Sequence, residues 1–207
     1  TAGGAISDSG NLTITGLTTL TAGALNDITL NNANNFSSVR VVSGKDVILN
    51  DVNSIILGDG AGTSNMTSLS VTASGAITDG GQLFITGTTS LAAGTANDIT
   101  LDAANNFGGA VSVVSGKNVT LNDNDGIDLG ASTISGALNV VVAGAITDSG
   151  ALNVSGATTL TAGAGNDITL NNANDFASTV RVVSARDVTL NDINSIELGS
   201  AAGATAV

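Results

Sequence analysis

Asp27-Ile28-Thr29-Leu30-Asn31 returns nineteen residues later as Asp46-Val47-Ile48-Leu49-Asn50. The same echo carries Ile99 to Val119 and Ile168 to Val188, each twenty residues on. Each run alternates apolar and polar side chains, with Gly and Asn between runs. That is the pattern of short strands joined by turns, with no stretch of helical period. A strand motif recurring every twenty residues predicts coils stacked on one another.

Moving outward, the echo sits inside a longer repeat. Gly-Ala-Ile-(Ser/Thr)-Asp begins at Gly4, Gly75 and Gly144, a period of 71 and then 69 residues. Asn-Asp-Ile-Thr-Leu begins at Asn26, Asn97 and Asn166, and Phe36, Phe107 and Phe176 hold equivalent places. Self-similarity at fixed spacing signals a repeat architecture. The chain reads as one continuous solenoid over 1–207 built of three imperfect repeats, about 1–71, 72–141 and 142–207.

Extending the short register divides the chain into nine segments. One column is Ile6, Ile28, Val47, Ile77, Ile99, Val119, Ile146, Ile168 and Val188; another is Leu12, Phe36, Ile55, Leu83, Phe107, Ile127, Leu152, Phe176 and Ile196. Both are apolar throughout, so both are expected to point inward. The expected fold is all-β: a single parallel β-helix of about nine three-stranded coils, right-handed as parallel crossovers are. At ~4.8 Å per coil the rod would be roughly 40 Å long.

Composition agrees. Hydrophobic residues make up 42%, aromatics only 2%, and there is no Pro, Cys, His, Trp or Tyr. The longest apolar stretch, Val140 to Ile146, is far below the ~20 residues of a membrane helix, so membrane insertion is not expected. Seventeen acids against five bases give a net charge of −12, which argues against nucleic acid, whose phosphates need a basic stripe. The absence of Cys is compatible with an extracellular life.

Gly144-Ala145-Ile146-Thr147-Asp148-Ser149-Gly150-Ala151-Leu152-Asn153-Val154, continuing to Leu160 and resuming at Asn166-Asp167-Ile168-Thr169-Leu170-Asn171, resembles the strand repeats of very large bacterial surface exoproteins of the filamentous-haemagglutinin type. That resemblance implies adhesion, cell-surface display or extracellular fibre formation, and hence a secreted or surface location.

Candidate chemistry is sparse. Polysaccharide-cleaving β-helices use paired carboxylates with a base and aromatic platforms. Here the Asp residues recur with the repeat, and Arg40, Lys45, Lys117, Arg181 and Arg186 mostly follow it too. No enzyme activity and no catalytic residue is expected. No cofactor is expected either; calcium is the one ion with a physical case. Asp27 over Asp46 and Asp167 over Asp187 would stack like charges, Asp123, Asp125 and Asp128 make an acidic turn, and Gly163-Ala164-Gly165-Asn166-Asp167 partly matches a calcium-binding β-roll. The alternative is that Lys45 and Arg186 neutralise the stacked pairs.

Outward positions give the remaining candidates. Thr29, Thr78, Thr100, Thr120, Thr147, Thr169 and Thr189 form an exposed ladder, broken by Ile48 and flanked by Asn and Asp. Such a face could bind ice, glycan or cations, or simply suit a solvated strand. Ile56 and Phe84 interrupt the polar pattern and are expected to stack as a small apolar contact patch. At the ends, Val207 followed by Thr1-Ala2 reproduces the internal Val71-Thr72-Ala73. The expected partner is therefore a further copy, head to tail, or a longer array.

Overall fold

A computed structural model describes residues 1–199. Val207, half of the expected end junction, lies outside the described residues. Twenty strands make one winding ladder, and the pairings between them are parallel. No helix occurs among the described residues. The expected β-solenoid is the fold.

Its logic is alternation. In Ile99–Phe107 the side chains of Ile99 and Leu101 are buried while Thr100 between them is half-exposed. Ile168–Phe176 repeats that burial pattern position by position. Inward Val, Ile and Leu stack along the axis into one core, with Phe36, Phe107 and Phe176 as its largest members. Each Phe lies beside an aliphatic of the preceding coil: Ile14, Ile85 and Val154 respectively.

Corners are built by local chemistry. Gly23, Gly94 and Gly163 have φ near +80 to +88°, a conformation that costs glycine little. Three residues on, Asn26, Asn97 and Asn166 each donate a backbone N–H to that glycine's carbonyl. Their side-chain amides donate to Ala22, Ala93 and Ala162. The glycine of the Gly-Ala-Ile motif serves a different end. A Cβ on Gly75 would lie 2.8 Å from the Asn53 carbonyl carbon, and one on Gly144 would lie 2.8 Å from that of Asp125. Only glycine lets this turn sit so close to the turn of the coil beneath.

The stacking corrects the nine-segment register. Ile6 pairs with Ile28, and Val47 pairs with Leu69, not with Ile77. The column continues through Thr89, Val111 and Leu129 to Asp148, two residues past Ile146. Two repeats therefore span seven turns. Each repeat advances about three and a half turns of about twenty residues, because its length is not a whole number of coils. Ile77 consequently stands on another face, between Ile55 and Ile99. The columns hold within a repeat and break between repeats, and from Ile6 to Val188 the chain completes about nine turns.

Two inward assignments change at the C-terminal end. Val188 and Ile196 are exposed, because among the described residues no coil lies on top of them. Their mid-rod equivalents are buried. Replacing Ile99, fully buried, with Ala should therefore destabilise the rod by about 2–5 kcal/mol. Ile196→Ala should shift the thermal midpoint far less. Paired thermal melts followed by circular dichroism check this, and equal losses would contradict the packing.

Candidate functional site

The three motif aspartates close one arrangement three times. Asp8 accepts hydrogen bonds from the backbone N–H groups of Asn31 (3.3 Å) and Asn32 (3.2 Å) and from Asn34 Nδ2 (2.7 Å). Asp79 does the same with Asp102 (3.1 Å), Ala103 (3.1 Å) and Asn105 Nδ2 (2.7 Å). Asp148 does so with Asn171 (2.9 Å), Asn172 (3.2 Å) and Asn174 Nδ2 (2.8 Å). Each asparagine then reaches back: Asn34, Asn105 and Asn174 Oδ1 accept from the backbone N–H of Leu12, Leu83 and Leu152 at 2.8–2.9 Å.

A second aspartate completes the set from the coil above. Asp51, Asp123 and Asp192 Oδ2 accept from the N–H of Phe36, Phe107 and Phe176 at 2.7–2.9 Å. Their Oδ1 atoms accept from Asn53, Asp125 and Asn194, each at 2.9 Å, closing a two-residue turn. Asp–Asn–Asp clasps thus tie three consecutive coils together. They arise because the chain bends here and its N–H groups lose strand partners; buried donors must be satisfied, and Asx side chains do it.

Asn34, Asn105 and Asn174 are fully buried. Sequence reasoning passed over these residues and over Asp51 and Asp192, because Asn and Asp between strands read as solvated turn formers. One signal was available: the first aspartate and the asparagine are separated by 26 residues in all three repeats.

The clasps differ electrostatically. At Asp8 burial pushes the pKa upward, yet the donors Asn34, Asn32 and Asn31 outweigh it and hold the carboxyl below its usual range. At Asp79 burial wins over the same kind of donors and the pKa rises. Asp123 goes furthest, pushed up to about 7 by burial and then by the neighbouring Asp125 carboxyl.

The stacked surface carboxylates are bridged by cations. Lys45 Nζ lies 3.8 Å from Asp27 and 3.0 Å from Asp46, and Ser68 Oγ donates to Asp46 at 2.7 Å. Arg186 makes a two-point contact with Asp167 (2.8 and 2.6 Å) and reaches Asp187 at 3.4 Å. In the middle repeat the upper aspartate is replaced by Asn118, which donates to Asp98 at 3.0 Å. The acidic turn does not converge: Asp123 faces inward to Phe107, Asp125 accepts from Asn106, and Asp128 stands in register with Thr147. Among the described residues no three His, Cys, Asp or Glu side chains are placed to hold a metal. Gly163-Ala164-Gly165-Asn166-Asp167 is one of the glycine–asparagine corners described above.

The expected single threonine ladder is split. Thr78, Thr100 and Thr120 stack in one column. Thr147, Thr169 and Thr189 stack in another, on the face that also carries Thr29 over Ser7. Columns change face wherever the repeat advances its extra half-turn. For the same reason Ile56 and Phe84 do not stack. Ile56 pairs with Ser38 and Thr78, and Phe84 with Asn65 and Asn106. Both remain 40% exposed, separately. At the N-terminus Ala2 donates its N–H to Thr21 at 2.8 Å, so Thr1 and Ala2 already lie on the path of a coil.

A parallel β-solenoid whose coils are tied by recurring Asx clasps defines the class: a tandem-repeat β-solenoid. More particularly, the chain belongs to the family of repeats of unknown function (DUF5649), which matches residues 1–43, 44–114 and 116–183. The family units break before Gly44 and just before Gly116, midway through the repeats counted from Gly-Ala-Ile. No curated protein and no solved structure matches the chain.

Two outcomes follow. Asn105→Leu leaves the buried Leu83 N–H without its acceptor and takes one of three donors from Asp79, and the unsatisfied N–H alone costs about 1–3 kcal/mol; Asn106→Ala, half-buried and losing only an exposed bond to Asp125, should cost less. Urea unfolding of both variants measures the gap. The second concerns pH. Asp123 has a folded pKa near 7 against 3.8 unfolded, so between those values the folded state holds a proton that the unfolded state has lost. That stabilisation is complete below about pH 4 and disappears as pH rises through 7. The melting temperature should therefore rise from pH 7.5 to pH 5, and the rise should shrink in Asp123→Asn.

Proposed function

We propose that this chain is a structural segment of an extracellular filament or adhesin stalk, without enzymatic activity, in which coils stack end to end. The observation that carries this reading is the junction between repeats, where Ile77-Thr78-Asp79 pairs with Ile55-Ile56-Leu57 and Ile146-Thr147-Asp148 with Ile127-Asp128-Leu129, so that the last coil of one repeat is the seat of the next. Strand edges with an open core invite continuation of the solenoid. A heterologous contact of that kind does not close on itself and so generates fibres.

Three further points support it. The clasps are spent on joining coil to coil, which is what a load-bearing rod requires. No aromatic platform accompanies the carboxylates. The resemblance to filamentous-haemagglutinin-type exoproteins adds the surface location. A second reading, a surface-binding module for ice, glycan or cations, draws support only from the two short threonine columns; being on different stretches of the rod, they make a poor flat array.

Negative-stain electron microscopy of the concentrated protein tests the first reading: thin fibres several rods long are expected, and only short separate rods would count against it. Thermal hysteresis in the same sample should read zero, and calcium or a chelator should leave the melting temperature unchanged.

A further inference from the structure

We infer that two copies of this rod associate side by side and antiparallel, each seating its exposed Leu25 in a hollow on the flank of the other. The inference goes beyond the fibre reading and does not depend on it, because a single rod carries both halves of the contact.

The hollow lies just above the corner at Gly23. Ala22 donates its N–H to the Ser43 carbonyl at 2.9 Å, and Lys45 donates to the Asn26 carbonyl at 2.8 Å. Gly44 alone therefore covers the distance that Gly23, Ala24 and Leu25 cover on the coil beneath. The longer turn projects from the rod, and the wall steps back above it to Met66 and Ile85. The recess holds about 290 Å³, and its lining includes Ala24, Gly44, Met66, Thr67 and Phe84. Phe84 is the one Phe that the core does not take, 40% exposed while the other three are buried.

In the second repeat the same corner is closed. Ser135 stands in the place of Thr67 and donates its hydroxyl to the Thr95 carbonyl at 2.6 Å, tying the step shut across the coil between. Asn153 stands in the place of Phe84. The turn changes along with the recess. Leu25 is 88% exposed, the most exposed large apolar side chain among the described residues, whereas its counterparts are Ala96 and Gly165. An exposed leucine and an open apolar recess thus occur together, and neither is found at the corner that Ser135 bridges.

A lone exposed leucine is ordinary. One placed beside a recess of its own chemistry makes a self-complementary patch, which is what a two-fold contact between identical chains requires. The turn of Leu25 belongs to the lowest coil bordering the recess, so knob and hollow are offset along the rod. Mutual insertion then needs a two-fold axis running across the rods, and the two run antiparallel. Charge favours the same place. Rods of net charge −12 repel one another, but Lys45, one of five bases, adjoins Gly44 in the recess, and Asp27 lies two residues past Leu25 on the knob. Reciprocal seating turns the Asp27 side of each copy towards the Lys45 side of the other. The contact spans about four coils, roughly 20 Å of rod, which is smaller than a standard stable interface. A weak dimer is expected.

The chain has no cysteine, so introduced thiols report cleanly. Leu25→Cys and Thr67→Cys, prepared as separate variants and mixed, should cross-link on oxidation in excess of what either gives alone. Sedimentation of dilute unmodified protein at rising concentration should show association that stops at two copies. Leu25→Asn should weaken that dimer about tenfold or more, as loss of a buried anchor does, while leaving the melting temperature of the single rod unchanged. Ala96→Leu should not strengthen it, since Ser135 bridges the recess above that corner. Equal cross-linking in mixed and unmixed samples, or a dimer indifferent to Leu25→Asn, would overturn the contact. So would rods that stay monomeric at every concentration, whether or not the recess takes up another protein or a sugar.

Discussion

Almost no coil of this protein can satisfy its own backbone. A parallel strand has its hydrogen-bond partners one turn earlier and one turn later, so the N–H of Ile99 is met by Asn118 and that of Ile77 by Asp98, each about one turn away. Everything else follows from that dependence. Coils must keep one pitch and present compatible lengths, and wherever the chain bends off the ladder its amides need another acceptor. The Asp–Asn–Asp clasps occupy those places. They put carboxylates inside a solenoid that has little other reason to bury them, and Asp123 shows the electrostatic consequence.

The apolar stack and the clasps divide the work. Aliphatic columns supply a non-directional attraction roughly proportional to buried area, which holds coils together but tolerates sliding by two residues. Such slips do occur: within one strand pair Leu121 faces Leu101 while Asp123 faces Asn105, a shift of two residues. The clasps are directional and fix which turn faces which. A single exchange, Asn105 for an isosteric apolar residue, removes the alignment while retaining the volume.

The fold was legible because alternation survives in every segment. Ile28, Ile99 and Ile168 could be assigned inward from their neighbours alone. The register between repeats was not legible, since Leu69–Val71 and Ile77–Asp79 offer equally apolar strands to the coil holding Val47. Choosing between them requires the length of a turn in space, which the repeat length of about 70 residues does not reveal. The threonine ladder and the Ile56–Phe84 patch both failed on that point. Buried Asn34, Asn105 and Asn174 escaped for another reason: an asparagine in a turn and an asparagine inside a core are the same letter.

The three-and-a-half-turn advance has a genetic reading. Tandem repeats this similar are prone to gain or lose whole units. Losing one from this array would preserve strands, core and clasps, yet would swing everything downstream to the opposite side of the rod. Losing two would restore the original facing. Any feature that must point in a given direction, such as the exposed Phe84, thereby places a parity constraint on the number of repeats ahead of it.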